Sequence, residues 1–358
     1  MRNYKVLDLF SSIGGFSYGF KYAGFDILLG IDQDEDCRET YRNNIKSKFL
    51  RADISKITLD EIFNISNFNN IDVIIGSPPC QPYSPSNQHK NIQKTSINFL
   101  FNDFNILPLS YHFLRIVILA KPTFFILENH PNFFKTNDYK FINKVFNFFG
   151  YKTSLNEINA EQFRIPQKRH RTFLVGNLLD IDFTFSNSCN QHSATISLDE
   201  TIGDLKSLDP VVSNNLVTPQ IIPLQNFSDY QKLMHTKNRY INNHISPFNK
   251  SKTIQILTKL SSGDYYGRNP SHVKSHSYDV SKVITRGFNS PSNDGETMHY
   301  ELPRCLTCRE AARIQTFDDN FIFYGNNIPK IRLQIGNAVP PLLSKQFAEK
   351  IKIILDNI

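Results

Sequence analysis

The sequence predicts an α/β fold in which a doubly wound parallel sheet is accompanied by a smaller domain that is mostly β or irregular. Short apolar segments alternate with amphipathic ones over the first half of the chain, and this alternation stops after Asn177. Alternating β and α units are typical of a parallel sheet covered by helices. The chain has 358 residues, which is longer than a single hydrophobic core usually supports, so two domains are expected.

Five strands are expected in the first half because these segments are short and apolar, as central parallel strands are. They are VLDLF (6–10), FDILLGID (25–32), IDVIIG (71–76), PTFFILEN (122–129) and RTFLVGN (171–177). Helices are expected between them over 11–24 after a glycine turn, 35–44, 113–120 and 138–151. The last of these is predicted to bury Phe141, Val145, Phe148 and Phe149 on one face.

Residues from about 180 to 300 are rich in Ser, Asn, Thr, Pro and His and have weak periodicity. We interpret them as a second domain of short strands and long loops. A disordered insert is the alternative, and the apolar stretches LVTPQIIPL and TIQILTKL argue against it. Helical spacing returns in LTCREAARIQTF and in PLLSKQFAEKIKIIL, where Leu343, Phe347 and Ile351 share a face.

Charge and cysteine content restrict the class of protein. A net charge of +7 and a pI near 9.0 favour a polyanionic partner. The N-terminal sequence lacks the apolar core of a signal peptide, and no apolar run approaches the roughly 18 residues of a membrane span. Five cysteines without a secretory signal indicate free thiols in a reducing compartment. We therefore expect a cytoplasmic protein with no membrane partner.

A ligand-binding edge is predicted where the first strands end. The turn SSIGG follows the first strand, and Asp32 ends the second strand 17 residues after Gly15. Open α/β sheets bind ligands at this edge, with an acid on a ribose hydroxyl. Asp53, in RADI, is placed to meet the exocyclic amine of a base. These residues alone leave a tight turn and a helix cap as equal alternatives.

Cys80 lies in the proline-rich segment GSPPCQPYS, directly after a predicted strand. Prolines fix the backbone, which benefits a nucleophile more than a structural thiol. The alternative is a buried cysteine that acts as a small apolar residue. Glu128 follows the next strand, and Arg169 and Arg171 precede the last one. A thiol, a carboxyl and two guanidinium groups are therefore expected along one rim.

Six motifs in order carry a resemblance that covers nearly the whole chain. They are DLFSSIGG, PPCQPYS, the pair Glu128–Asn129, QKRHR, RCLTCREAARIQTF and QIGNAVPP. In this order they resemble the DNA (cytosine-5) methyltransferases of the bacterial restriction–modification type. The resemblance implies a Rossmann-like domain that binds S-adenosylmethionine, over residues 1–178 and 334–358. It also implies a target-recognition domain over 179–333 that includes RCLTCREAARIQTF, which resembles the ninth motif of the family.

The resemblance also implies catalytic roles. Cys80 would attack C6 of a cytosine that has been flipped out of the duplex, and Glu128 would hold and protonate N3. Arg169 would bind the carbonyl side of the base and the intermediate, with Arg171 in support. The implied cofactor contacts are Phe10, Gly14, Gly15, Asp32, Gln33, Asp53, Ile54, Pro79, Asn337 and Val339. The implied substrate contacts are Gln81, Ser84, Asn129 and Gln167, and no metal is expected.

The chain departs from the family pattern at several positions. Ser12 and Arg164 stand where glycine is usual, and His130 stands where valine is usual. FDDN (317–320) lacks a proline, and the segment 86–110 lacks the Arg-Gly stretch of the loop that closes over DNA. Since none of these changes removes a reacting group, an active enzyme is expected.

Other kinds of site are less well supported. Cys305 and Cys308 form a CxxC, but a zinc site needs a second pair and Cys37 and Cys189 are isolated, so packing is the preferred interpretation. His272 and His276 lack a neighbouring acid or cysteine, so DNA contact or plain exposure is preferred for them.

Two other functions remain open: a tRNA cytosine-5 methyltransferase and a non-catalytic DNA-binding protein. The absence of a Cys-Phe-Thr stretch argues against the first, and intact Cys80, Glu128 and Arg169 argue against the second. The expected partner is double-stranded DNA, with phosphate contacts from the Lys and Arg side chains of residues 180–300, which include Arg268, Lys274 and Arg286. We expect a monomer and a cognate restriction endonuclease that forms no stable complex with it.

Overall fold

The computed structural model describes residues 2–66, 70–79, 108–185, 195–211, 215–245, 251–266, 272–285 and 298–358, without the side chains of 251–253. The chain forms two compact units. The first comprises Met1–Ile158, His170–Ser186 and Ser344–Ile358, and the second comprises Asn159–Arg169 and Asn187–Leu343. These bounds differ from the predicted ones: residues 159–169 and 334–343 fall in the second unit, and residues 179–186 fall in the first.

A seven-stranded sheet forms the centre of the first unit. Its strands are β1 (Lys5–Leu9), β2 (Asp26–Asp32), β3 (Lys48–Arg51), β4 (Val73–Gly76), β5 (Phe124–Asn129), β6 (Lys152–Asn159) and β7 (His170–Asn177). Their order in the sheet is β3-β2-β1-β4-β5-β7-β6. The pairs from β3 to β5 are parallel, and β7 runs antiparallel to β5. The predicted α/β sheet is therefore confirmed.

Helices pack against this sheet. They are α1 (Gly15–Tyr22), α2 (Arg38–Ile45), α3 (Leu59–Ser66), α4 (Leu109–Ala120) and α5 (Asn137–Phe148). Apolar strand residues such as Leu7, Ile74 and Leu127 form one buried core with Phe113 and Phe146 from the helices. The carboxyl ends of the parallel strands are thereby held at one edge of the sheet, where ligands bind in folds of this kind.

The apolar face predicted for α5 is confirmed at Val145, which is buried, and at Phe141, which packs half-buried against the core, and is wrong at the other two residues. Phe148 is 85% exposed and Phe149 is 41% exposed. The buried side chains are Ile142, Val145 and Phe146, and the Phe146 ring stacks on Phe125 with 4.2 Å between the ring centroids. The buried face therefore includes Ile142 and Phe146 in place of the two phenylalanines at the end of the segment.

The second unit is less regular. Its helices are α6 (Leu198–Ile202), α7 (Asp229–Met234), α8 (Ser251–Lys259), α9 (Cys308–Ile314) and α10 (Ile328–Asn337), and α11 (Pro341–Asp356) begins in it. In the part of this unit that the structure describes, the only strand pair is β8 (Gln220–Ile221) with β9 (Tyr240–Ile241). Loops and short helices thus account for most of the described part of a region that was predicted to consist of short strands and long loops.

Buried charges organise the second unit around α9. Arg313, which is fully buried, donates to both oxygens of Asp204 at 2.7 and 2.8 Å and to Asp319 at 2.8 and 3.0 Å. Glu310, also buried, accepts two hydrogen bonds from Arg304 at 2.7 and 2.8 Å. Removing one partner of such a buried pair typically costs about 3–5 kcal/mol, so the ninth motif acts as the structural centre of this unit.

Candidate active site

The turn after β1 has an unusual backbone. Phe10 and Ser12 adopt positive φ values of 58° and 48°, and Gly14 has φ 87°. A Cβ on Gly14 would lie 2.7 Å from Ile45 Cγ1, so both the backbone conformation and the available space require glycine there. Ser12 occupies the left-handed region that explains why the family usually has glycine at this position.

Asp32 lies beside this turn with its carboxylate already oriented. Oδ2 accepts a hydrogen bond from the Ser12 backbone N–H at 2.8 Å, and Oδ1 accepts one from the Asp34 N–H at 2.9 Å. Burial raises the pKa of Asp32, while these N–H donors oppose that rise. Each carboxylate oxygen keeps a further acceptor position, so the group can still accept from a ligand hydroxyl.

Asp53 lies two residues beyond the end of β3, at the same edge of the sheet. Its Oδ1 accepts from the Ser55 hydroxyl at 2.7 Å and from the Ser55 N–H at 3.0 Å, and these bonds lower the pKa of Asp53. Ile54 is buried, whereas Gln33 and Pro79 are exposed. The first unit therefore brings most of the predicted cofactor residues to one edge.

Two serine hydroxyls at this edge were missed by the sequence analysis. The Oγ atoms of Ser11, after β1, and Ser77, after β4, are buried and have no hydrogen-bond partner among the described residues. Leu9 and Gly76 pair in the sheet, so these serines follow adjacent strand ends. Unsatisfied buried hydroxyls at a predicted ligand edge fit a polar ligand such as S-adenosylmethionine.

Glu128 and Arg171 form an ion pair. Glu128 is near the end of β5 and Arg171 near the start of the antiparallel β7, with Arg171 Nε 3.2 Å from Glu128 Oε1. Phe173 is opposite Glu128 in the ladder, so Arg171, two residues earlier, projects from the same face as Glu128. The structure thus brings a carboxylate and a guanidinium group together at the predicted rim.

Asn129 connects this strand end to the segment that leads to Cys80. Its Nδ2 donates to the Pro78 carbonyl oxygen at 3.2 Å, and its Oδ1 accepts from the His130 N–H at 2.8 Å. The side chain is only 2% exposed. The Asn129 amide thus holds two loops together, and its substrate contact stays a prediction. Cys80, Gln81 and Ser84 lie outside the described residues.

The remaining predicted residues belong to the second unit. Arg169 is buried and donates to the carbonyl oxygens of Ile284 at 3.3 Å and Ala338 at 3.4 Å. The Gln167 amide group is buried and bonds Gln315 Oε1 at 2.6 Å.

Two further positions of the second unit complete the predicted set. Asn337 is exposed, and Val339 is buried. Arg164 has φ 60°, again where the family usually has glycine. In the described structure the guanidinium group paired with Glu128 belongs to Arg171.

Cys305, Cys308 and Lys274 lie outside this site. Cys305 and Cys308 are buried free thiols, and the described residues contain no group of three His, Cys, Asp or Glu side chains that could hold a metal. Lys274, which was expected on DNA phosphates, is buried, and its ammonium group donates to the carbonyls of Leu260 and Glu301. No helix in the described ranges is both long and apolar enough to span a bilayer.

Comparison with known protein families decides what kind of site this is. The family model of C-5 cytosine-specific DNA methylases matches residues 4–353. The chain belongs to this family. It is therefore a DNA (cytosine-5) methyltransferase, and the Glu128–Arg171 pair lies in the fold of a methylase.

Named relatives span nearly the whole methylase chain. Type II methyltransferase M1.HphI of Haemophilus parahaemolyticus is 30% identical over 96% of this chain and 86% of its own length. Type II methyltransferase M.DdeI of Desulfomicrobium norvegicum is 29% identical over 99% of this chain and 89% of its own.

Solved structures share the fold of this methylase. A protein described as a DNA modification methyltransferase of an E. coli prophage has a TM-score of 0.77 at 23% identity, and covers 99% of this chain and 100% of its own. A mutant of Spodoptera frugiperda DNMT2 has a TM-score of 0.62 at 16% identity, with the same coverage. At these identities the likeness concerns the fold alone.

Proposed function

We propose that this methylase transfers a methyl group from S-adenosylmethionine to C5 of a cytosine within a specific double-stranded DNA sequence, as the modification enzyme of a restriction–modification system. The observation that carries the proposal is the Glu128–Arg171 pair, 3.2 Å apart, next to the Asn129 amide that holds the start of the PPCQ loop. The type II names of the relatives support the cellular role.

The reaction needs a nucleophile and an acid. C5 of cytosine becomes nucleophilic only after a thiolate adds to C6, which is the role of Cys80. Glu128 hydrogen-bonds N3 and supplies the proton that balances the charge developing on the ring. After methylation, loss of the C5 proton and elimination of the Cys80 thiolate restore the aromatic base.

Arg171 is the better candidate for the arginine that contacts the base. The sequence analysis assigned that role to Arg169, but Arg169 is committed to two backbone carbonyls of the second unit. Arg171 is partly exposed and holds the Glu128 carboxylate in place. A planar guanidinium group beside a carboxylate suits recognition of the carbonyl side of cytosine.

S-adenosylmethionine, when bound, supplies an electrophilic methyl group. On the first unit, the turn at Phe10 and Gly14, the Asp32 carboxylate and the hydroxyls of Ser11 and Ser77 would hold it. Asp32 would accept from the ribose hydroxyls, since its own orientation is fixed by two backbone donors. A target base must leave the duplex to reach such a site.

Side-by-side assays with labelled S-adenosylmethionine test the proposal on DNA and on tRNA. We expect label in DNA only, with no transfer by Cys80→Ala and a large loss of kcat for Glu128→Gln, while both variants bind cofactor within a few-fold of wild type. Transfer to tRNA alone would favour the RNA methyltransferase alternative. Normal turnover by Cys80→Ala would refute the nucleophile, and DNA binding without any transfer would favour a non-catalytic protein.

The proposed partners of the methylase are double-stranded DNA and a cognate restriction endonuclease. Residues of the second unit would select the DNA sequence, and a cognate endonuclease would cut that sequence when it is unmodified. We propose that the methylase acts as a monomer, since one flipped base needs one site. Bisulfite sequencing of DNA from cells that express the protein would identify the methylated position.

A further inference from the structure

His130 has no part in the reaction described above, although it directly follows Glu128 and Asn129. It is half-buried at the end of β5. The ring Nδ1 of His130 accepts a hydrogen bond from the Asn132 backbone N–H at 3.2 Å. The backbone N–H of His130 donates to Asn129 Oδ1 at 2.8 Å. A backbone N–H can only donate, so Nδ1 has to be unprotonated and the neutral ring carries its hydrogen on Nε2.

The charges around His130 favour this neutral form. Burial lowers the pKa of His130 first, and the positive charges of Arg171, His170 and Lys135 lower it further. Glu128 acts in the opposite direction and raises it. Since the balance puts the pKa below the ordinary histidine value near 6.5, the imidazole is neutral at neutral pH.

We propose that neutral His130 is a positioning residue for Glu128: by accepting the Asn132 N–H it fixes the turn after β5, and its protonation releases that turn and adds a positive charge beside the Glu128–Arg171 pair. Asn132 N–H donates to His130 Nδ1, the His130 backbone N–H donates to Asn129 Oδ1, and Asn129 Nδ2 donates to the Pro78 carbonyl oxygen. The inference rests on the proposed function only in that Glu128 acts on the base.

Protonation and mutation should have different effects on this turn. A protonated ring has no acceptor at Nδ1, so the Asn132 N–H loses its partner, and a new positive charge lies beside the Glu128–Arg171 pair. Valine at position 130 cannot accept at any pH. Asparagine can accept from the N–H two residues ahead at every pH, as Asx turns do, and carries no charge.

The pH dependence of kcat for methyl transfer to DNA distinguishes these cases in wild type, His130→Asn and His130→Val. With each profile normalised to its own plateau, we expect wild type to lose several-fold more activity between pH 7.5 and 5.5 than His130→Asn. His130→Val should have a lower plateau without the additional acidic loss, and KM for DNA should change little. Calorimetric binding of S-adenosylmethionine checks that each variant is folded. Superimposable normalised profiles would overturn the proposal.

A second measurement requires no activity. In the cofactor-free protein, the His130 ring signals, assigned by their absence in His130→Asn, should titrate below the ordinary histidine range. The midpoint should fall further in Glu128→Gln and rise in Lys135→Gln. A ring that is protonated at neutral pH, or a midpoint that neither variant moves, would contradict the inference. Wild type that methylates no DNA at any pH would instead contradict the proposed function.

Discussion

Asp32 is a single carboxylate whose neighbours prepare it for a ligand. Two backbone N–H groups, those of Ser12 and Asp34, fix its orientation at the end of β2. Loss of a charged hydrogen-bond acceptor costs about 1.5–3 kcal/mol, so Asp32→Ala should weaken S-adenosylmethionine binding roughly 10- to 150-fold. Calorimetry measures this, with Asp26→Ala, at the opposite end of the same strand, as the matched control. Equal affinities for the two variants would exclude the ribose contact.

The buried carboxyl group of Asp8 should make the free energy of unfolding depend on pH. It is buried in β1, where Ser17 Oγ donates to Oδ2 at 2.6 Å, and burial raises the pKa of Asp8 to about 8. The folded state therefore holds a proton that the unfolded state releases above about pH 4, so the free energy of unfolding falls as pH rises towards 8. Urea melts between pH 5 and 9 should reveal this decline in wild type.

Asp8→Asn is the matched variant for that decline, because it keeps an oxygen for the Ser17 hydroxyl and cannot ionise. Its free energy of unfolding should change less between pH 5 and 9 than that of wild type. Parallel curves for the two proteins would show that Asp8 does not carry the effect.

Sequence reasoning located single residues well where a strand end determines their position. Glu128 and Asp32 were predicted because apolar strands lead directly to them. Glu128 pairs with Arg171, whereas the sequence analysis placed Arg169 on the base and Arg171 in support. The base contact of Arg171 therefore stays a proposal. Alternation along β7 places Arg171 on the same face as Phe173, and this was the sequence signal that could have favoured Arg171. The burial of Lys274 had no local signal, because a lysine in a polar segment is usually exposed.

At the scale of elements, helix α11 packs on the first unit through the aromatic ring of Phe347. Phe347 is fully buried and stacks on Phe185 with 3.8 Å between centroids, and it also contacts Phe173 at 4.6 Å. Phe347→Ala should lower the free energy of unfolding by about 3–5 kcal/mol. Ile353→Ala, on the same helix but 64% exposed, should change it by less than about 0.5 kcal/mol. Urea melts that give the two variants equal stability would contradict this packing.

Elements were predicted where their apolar pattern was simple. β4 and β5 are buried on every residue, which gives the continuous apolar run of a central strand. The strand β6, KTSLNEIN, was missed, because it is polar, has only two buried residues and is last in the order of the sheet. The exposure of Phe148 and Phe149 at the end of α5 was missed, because large apolar residues near a helix face are usually expected to be buried.

For the whole molecule, we predict that the second unit selects the DNA sequence. Replacing residues 180–300 with those of a relative of different specificity should transfer the methylated site to that of the donor. The exchange has to retain Asp204 or its equivalent, because Arg313 would otherwise lose a buried partner. Bisulfite sequencing reads the outcome, and an active chimera that keeps the original site would locate specificity elsewhere. DNA binding should also weaken steeply with salt.

The division of the molecule was predicted only in outline. Composition separated an α/β half from a polar, irregular half, and both units are present. The second unit also includes residues 159–169 and 334–343, because Gln315 accepts from the Gln167 amide at 2.6 Å and donates to the Ile335 carbonyl at 2.8 Å. Contacts between segments so far apart in sequence leave no periodic signal in either segment.

The central claim, that Cys80 forms a covalent bond to a cytosine during methyl transfer to DNA, is tested most directly by a trapping experiment. A duplex that carries 5-fluorocytosine at the target position is incubated with the protein and S-adenosylmethionine. Because 5-fluorocytosine has no C5 proton to lose, the thiolate cannot be eliminated after methylation. We predict a complex that survives denaturation, with a mass equal to protein plus methylated DNA, and a peptide map that places the link at Cys80. Cys80→Ala, which should still bind the duplex, should give no such complex. A wild-type protein that methylates the normal duplex but yields no trapped complex, or a link at another residue, would contradict the account.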